Sequence, residues 1–304
     1  MDFDKLIQTF EDEGEKLVIV RPGISLSLFY SEPVGRLGPA VADIVEDYLA
    51  FIAPRTLDQY YAPSAVYKPF GAKVLQATLQ GLRAGEEDDE FYEFHFGPGL
   101  AVGSGCAIHF KGSALADEED FPRETNLLTL EFPSDFLRHK SPQAFFGFVV
   151  RTADRFPFHY GIAGHAFQHP VMVFRDEAHE AIARLAMRYL GFDLSYEDVR
   201  DDLRGHVHNV SWITLLGRPL LDKLGGLAPL RAGLGAGIPV VELRHGAAIV
   251  ACETPPVGDV NRGAQDLQPL KEVARQLRPL RLEPELLGAE DDVFAARWLA
   301  RLDA

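Results

Sequence analysis

Histidine is the residue whose spacing in this chain most invites chemistry. His206 and His208 stand two apart, which on an extended strand puts both imidazoles on one face. His159, His165 and His169 crowd a nearby stretch and Asp193 could complete a ligand set, so a metal-dependent hydrolase built on His206 and His208 is one reading. Neither group has the helical His-Glu-x-x-His arrangement that carries its own general base, and scattered histidines more often hydrogen-bond at the edge of a core. Cys106 precedes His109 by three residues, a spacing that sends the two side chains to opposite faces of a strand. Gly103-Ser104-Gly105 lacks the Gly-x-Ser-x-Gly spacing of a nucleophile elbow. Gly233-Leu234-Gly235-Ala236-Gly237 follows a helical pattern and lacks the third spaced glycine of a dinucleotide fingerprint. The acidic runs Glu86, Glu87, Asp88, Asp89, Glu90 and Asp117, Glu118, Glu119, Asp120 lack the apolar enclosure that raises a carboxyl pKa for proton transfer, and read as solvated surface. The expectation is a chain with no catalytic residue, no cofactor and no metal.

Charge then indicates the kind of partner. The chain of 304 residues has a formal net charge of −15. Residues 1 to 150 hold 24 acidic against 12 basic side chains, while residues 151 to 304 hold 21 against 18. Such a first half repels phosphate backbones and attracts a basic protein, so a protein partner is expected and direct nucleic-acid binding is not. The two acidic runs are the candidate steering surface. No apolar run approaches the roughly 20 residues that span a bilayer. Asp2, Asp4, Glu11, Asp12, Glu13 and Glu15 do not resemble the basic, then apolar, start of a secretory signal. Two lone thiols, Cys106 and Cys252, suit a reducing compartment, and the cytoplasm is the expected location.

The elements that must position these residues are legible in outline. Leu37, Val41, Ile44, Val45, Tyr48, Leu49 and Ile52 recur at helical steps. Ser141-Pro142 is a cap followed by a first-turn proline, introducing Phe145, Phe146, Phe148 and Val149. A third helix follows Asp176, with Gly191 positioned to end it, and a fourth runs from about Leu267 to Leu277. Tyr92, Phe94 and Phe96 alternate with Glu93 and His95, and Phe158, Tyr160 and Ile162 with His159 and Gly161, so aromatics line one face of a sheet whose opposite face is expected to be wet. Shorter strand candidates are Leu17 to Val20, Ile24 to Phe29, Ala107 to Phe110, Leu127 to Phe132, Val240 to Leu243 and Ala247 to Cys252, the last two forming a hairpin through Arg244-His245-Gly246. Strands grouped in this way predict an α+β fold of mixed, largely antiparallel sheets packed with helices. It is read as one large domain or two closely packed lobes, 1–190 and 209–304. A homodimer through the aromatic strand Phe91 to Phe96 stays open, since that strand could equally be core.

The most distinctive wording lies in the second half. Asn209-Val210-Ser211-Trp212-Ile213-Thr214-Leu215-Leu216-Gly217 precedes Leu220-Leu221-Asp222-Lys223-Leu224-Gly225-Gly226, then Gly258-Asp259-Val260-Asn261-Arg262, then Val273-Ala274-Arg275-Gln276-Leu277-Arg278-Pro279-Leu280-Arg281. Together with Tyr160-Gly161-Ile162-Ala163-Gly164 these motifs, over residues 157 to 282, resemble the family of bacterial type VI secretion immunity proteins paired with VRR-NUC-type nuclease effectors. The chain departs from the family pattern where Ser211 stands in the Asn place before Trp212, and where Leu215-Leu216 replaces a Phe-Leu pair. The resemblance implies binding and neutralisation of a cognate toxic effector, a nuclease, without catalysis; an effector chaperone is the other non-enzymatic reading. The motif residues themselves have structural explanations: Trp212 as a core anchor, Gly225 and Gly226 as a helix stop, and Gly258, Asp259, Asn261 and Arg262 as a turn in which Asp and Asn bond backbone amides.

Overall fold

The computed structural model describes residues 2–62, 64, 66–85, 91–98, 105–113, 115, 124–170, 175–195, 203–287 and 291–303. Both acidic runs, Glu86 to Glu90 and Asp117 to Asp120, lie outside the described residues. In chain order β1 (Gln8–Asp12) and the long β2 (Glu15–Tyr30) precede α1 (Val34–Ile52), β3 (Gln59–Ala62), β4 (Val66–Pro69) and α2 (Ala72–Ala84). Next come β5 (Phe91–Gly97), β6 (Ala107–Ser113), β7 (Asn126–Pro133), α3 (Phe136–His139), α4 (Pro142–Ala153) and β8 (Tyr160–Gln168). The rest comprises α5 (Arg175–Ala186), β9 (Ile213–Gly217), α6 (Arg218–Lys223), α7 (Leu227–Gly233), β10 (Val240–Leu243), β11 (Gly246–Val250), α8 (Gln268–Leu277) and α9 (Asp292–Leu299).

Among the described residues these strands form one sheet of eleven, in the order β10-β11-β9-β8-β2-β7-β6-β5-β3-β4, with β1 on the first part of β2. Pairing is antiparallel throughout, as the grouping of strands in sequence predicts for an α+β fold. The ladder from β8 to β9 carries the sheet across residues 191–208.

Alternation along β2 assigns the two faces. Ile24, Leu26, Leu28 and Tyr30 point to one side, where the stripe of α1 and Phe145 and Phe148 of α4 cover them. The cap at Ser141 is formed, its Oγ accepting from Ala144 N at 3.1 Å. On the other side Ile162, Leu216 and Ile249 pack under Ile182 of α5, Leu270, Val273 and Leu277 of α8 and Trp298 of α9. Two layers of helices thus enclose the sheet, and this overturns the expectation of a wet face. All of β8 is buried, and His95 on β5 is 6% exposed, because the second half of the chain folds back over the surface that alternation alone leaves to water. Phe94 and Phe96 belong to the core and β5 lies between β6 and β3, so these two aromatics serve as core.

Two glycines show where close approach, not flexibility, selects the residue. Gly191 does not end α5, which stops at Ala186; it lies where the Pro256 carbonyl comes so near that a Cβ would sit 2.2 Å from its oxygen. On α1, a Cβ at Gly38 would meet the Leu82 carbonyl oxygen of α2 at 2.0 Å. Gly38→Ala is expected to force the two helices apart and lower stability by about 2 kcal/mol, read as a shifted urea midpoint. Gly237, where a Cβ would meet nothing within 4 Å, is the matched control and should tolerate Ala.

Candidate functional site

Of the histidines expected to gather, His169 and His208 line one small cavity together with Asp193, whereas His159, His165 and His206 do not border it. His159 and His169 flank opposite ends of β8, about 30 Å apart at the rise of a strand. His159 Nε2 lies 2.7 Å from Ser31 Oγ, and burial followed by the Arg204 charge brings its pKa to about 4. His165 stacks on Phe192 at 4.7 Å, and burial brings it to about 4 as well. Of the pair His206 and His208, His208 reaches Asp193, its Nε2 lying 3.3 Å from Oδ1. Among the described residues no three His, Cys, Asp or Glu side chains are placed to hold a metal ion.

What forms instead is a buried polar centre. Asp193, 3% exposed, also accepts from Asn209 Nδ2 at 2.8 Å and from the Ser195 amide at 3.3 Å. Burial alone would raise its carboxyl; hydrogen bonds from His208 and Asn209 and the charge of Arg301 outweigh it and hold the group below the usual carboxylate range. Arg301 donates to Asn209 Oδ1 and to the Leu190 and Trp298 carbonyls, and lies 3.9 Å from the Trp298 ring centroid. Burial lowers its guanidinium to about 10, against the pull of Asp193. His208 stacks on Trp298, with its edge toward Phe29 and Tyr160. This centre joins the C-terminal residues to the middle of the chain; cavities of about 30 and 20 Å³ border it, and the buried His208 Nδ1 and Trp298 Nε1 have no hydrogen-bond partner among the described residues.

A second polar feature follows from strand register. Ser27, Thr129, His109 and His95 stand opposite one another across β2, β7, β6 and β5. Ser27 Oγ and Thr129 Oγ1 are 3.1 Å apart, His109 Nε2 is 3.0 Å from Glu93 Oε1, and Tyr67 Oη is 3.4 Å from His95 Nδ1. Burial, then the neighbouring charges of His109, His169 and Arg21, pushes the His95 pKa well below its ordinary value. The row borders a cavity of about 30 Å³, room for about one water. Cys106 faces the other way, into the core beneath α1, so it and His109 do lie on opposite faces.

The motif residues fall into two sets. Trp212 is buried, stacks on Phe145 at 5.6 Å and donates from Nε1 to the Cys252 carbonyl at 2.7 Å. Gly225 and Gly226, at φ +83° and +96°, follow α6, and the Gly226 amide returns to the Leu221 carbonyl at 2.8 Å. Gly258 to Arg262 are different, forming a surface loop. Asp259 accepts from the Asn261 amide at 3.1 Å, and Asp266 accepts from the Val257 and Gly258 amides at 2.8 and 3.0 Å. The Arg262 side chain is 77% exposed, its Nε 3.7 Å from Asp259 Oδ2.

No helix among the described residues is long and apolar enough to cross a membrane. The fold is shared with the solved Pseudomonas aeruginosa T6SS protein PA0821, with a TM-score of 0.79, 20% identity, and coverage of 98% of this chain and 88% of that one. A search of the curated proteins finds no match. A family model described as type VI immunity for VRR-NUC matches residues 77–302. That span reaches well upstream of the motif-bearing stretch 157–282 and takes in β5, β6 and β7. With most of its length matched to this model, the chain belongs to the TsiV family, type VI immunity for VRR-NUC.

Proposed function

We propose that this chain binds a cognate VRR-NUC-type nuclease effector and neutralises it by covering its working surface, contributing no bond-making groups of its own. Family membership over residues 77–302 is the observation that carries the reading. The charge of the first half supplies its physics. A nuclease must present a surface that attracts phosphate, and a chain of net charge −15 competes for that surface while steering the encounter. Glu86 to Glu90 and Asp117 to Asp120 are the proposed steering groups. Such a protein would act in the cytoplasm, where the nuclease meets its substrate.

The test is inhibition of the purified effector's cleavage of DNA by the purified chain over a salt series. Near-stoichiometric inhibition is expected. Reversing the charge of both acidic runs should slow association about tenfold at low salt and flatten its salt dependence. Unchanged association with an unchanged salt slope would eliminate the electrostatic mechanism, and absence of inhibition by the wild type would eliminate the function.

A further inference from the structure

The loop over residues 257–266 is held more firmly than a connection requires. The Leu190 and Gly191 amides donate to the Gly258 and Val257 carbonyls, the Val260 amide to the Arg188 carbonyl, and the Arg262 and Ala264 amides both to the Asp259 carbonyl. The Asp266 carboxylate fastens the entry from the other side. Gly258, Gly263 and Ala264 all take left-handed backbone, at φ +65°, +81° and +46°. Glycine does so freely, but at Ala264 the conformation is unfavourable and persists because the surrounding bonds impose it.

What this rigid frame presents to solvent is an apolar side chain and a cation whose ion pair is loose. Val260, 42% exposed, is among the few large hydrophobic side chains that the described residues leave in solvent. Arg262 has its guanidinium in water, and its contact with Asp259 at 3.7 Å is too long for a hydrogen bond. Next to it is a surface depression of about 340 Å³ lined by Val257, Asp259, Arg262, Ala264, Gln265 and Asp266. An exposed arginine in a loose ion pair and an exposed aliphatic group carried on one preorganised loop have the makings of an energetic centre in a protein interface, because little backbone freedom remains to be lost on binding. The planar guanidinium fork matches a carboxylate in a two-pronged hydrogen bond. Phosphate is the other anion of that shape, but a chain of net charge −15 disfavours a nucleic acid as occupant.

We infer that residues 257–266 form a docking loop that seats Arg262 on carboxylate side chains of the nuclease effector, with Val260 shielding the contact from water. This rests on the reading that the effector is the partner. The experiment immobilises the full chain and measures association and dissociation of the purified effector for wild type, Arg262→Lys, Arg262→Glu and Val260→Asp, with a thermal melt of each. Arg262→Glu is expected to weaken Kd about 100-fold and Arg262→Lys about tenfold, both through faster dissociation and with unchanged melting temperature. Because Arg262→Lys retains the charge at an exposed position, it keeps the inference testable should a reversal disturb the fold. Wild-type affinity in the arginine variants would overturn the docking loop and leave the functional reading intact. Failure of the wild type to bind the effector would remove both. Binding of a DNA duplex that is lost in Arg262→Glu would overturn the inference in favour of a nucleic-acid contact.

Discussion

Asp193→Ala is expected to destabilise the chain by about 3–5 kcal/mol, the largest effect expected of any single substitution. The carboxylate is 3% exposed and accepts from His208, Asn209 and the Ser195 amide. Its charge also offsets that of the buried Arg301. Deleting it leaves a guanidinium without its counter-charge and three donors without their acceptor. Asp193→Asn keeps the shape and part of the bonding and should lose less. Arg301→Met removes a charge that helps hold the Asp193 carboxylate ionised and leaves the Leu190 and Trp298 carbonyls without their donor, so it should cost a comparable amount. Urea denaturation at pH 7 gives the ranking; an Asp193→Ala midpoint indistinguishable from wild type would show that the centre is cohesive in appearance only.

Acid is the second large expected effect. His159 and His165 are brought to about 4 in the folded chain, and His95 is displaced in the same direction, whereas in the unfolded chain each titrates near 6.5. Between those values the unfolded state binds protons that the folded state refuses, so stability is complete above about pH 6.5 and falls as the pH drops toward 4. At about 1.4 kcal/mol per pH unit for each group, His159 and His165 together remove about 4 kcal/mol by pH 5, with His95 adding to the loss. Asp193 works in the opposite sense: its depressed carboxyl contributes stability that is present above the ordinary carboxylate range and lost only below it. The interval from pH 6.5 to 5 therefore reports the histidines. Urea midpoints at pH 7, 6 and 5 should decline steadily, His165→Asn should lessen the slope, and a flat profile would contradict the burial assigned to these rings.

The sequence is informative where one face of an element determines its fate. The apolar stripe of α1, the Ser141 cap of α4 and the hairpin joining β10 to β11 are all readable from local pattern, because each rests on contacts within a few residues. The short strands β1, β3 and β4 carry no comparable signal; their half-exposed residues satisfy neither alternation nor a continuous apolar run. Helix α2 is equally faint, with Leu79 and Leu82 as its buried residues. The polar interior is the least legible part. His208 and Asp193 stand out in the sequence as metal ligands, but their actual partners, Asn209 and Arg301, are of residue types that suggest solvent. Nothing local distinguishes Arg301 from a surface arginine; its burial follows from where α9 docks. The row Ser27, Thr129, His109 and His95 likewise exists only through register across four strands. The motif Gly258 to Arg262 is visible as a turn, whereas the exposure of Arg262 on a rigid frame emerges only with the fold.

Cells carrying the cognate VRR-NUC effector under an inducible promoter, with and without this chain, test the central claim most directly. Neutralisation by occupancy requires that growth be restored when the chain is present, and that the effector be recovered from those cells intact and bound to it. Continued killing with both proteins expressed would contradict the account, as would protection in which the effector is recovered free and chemically altered.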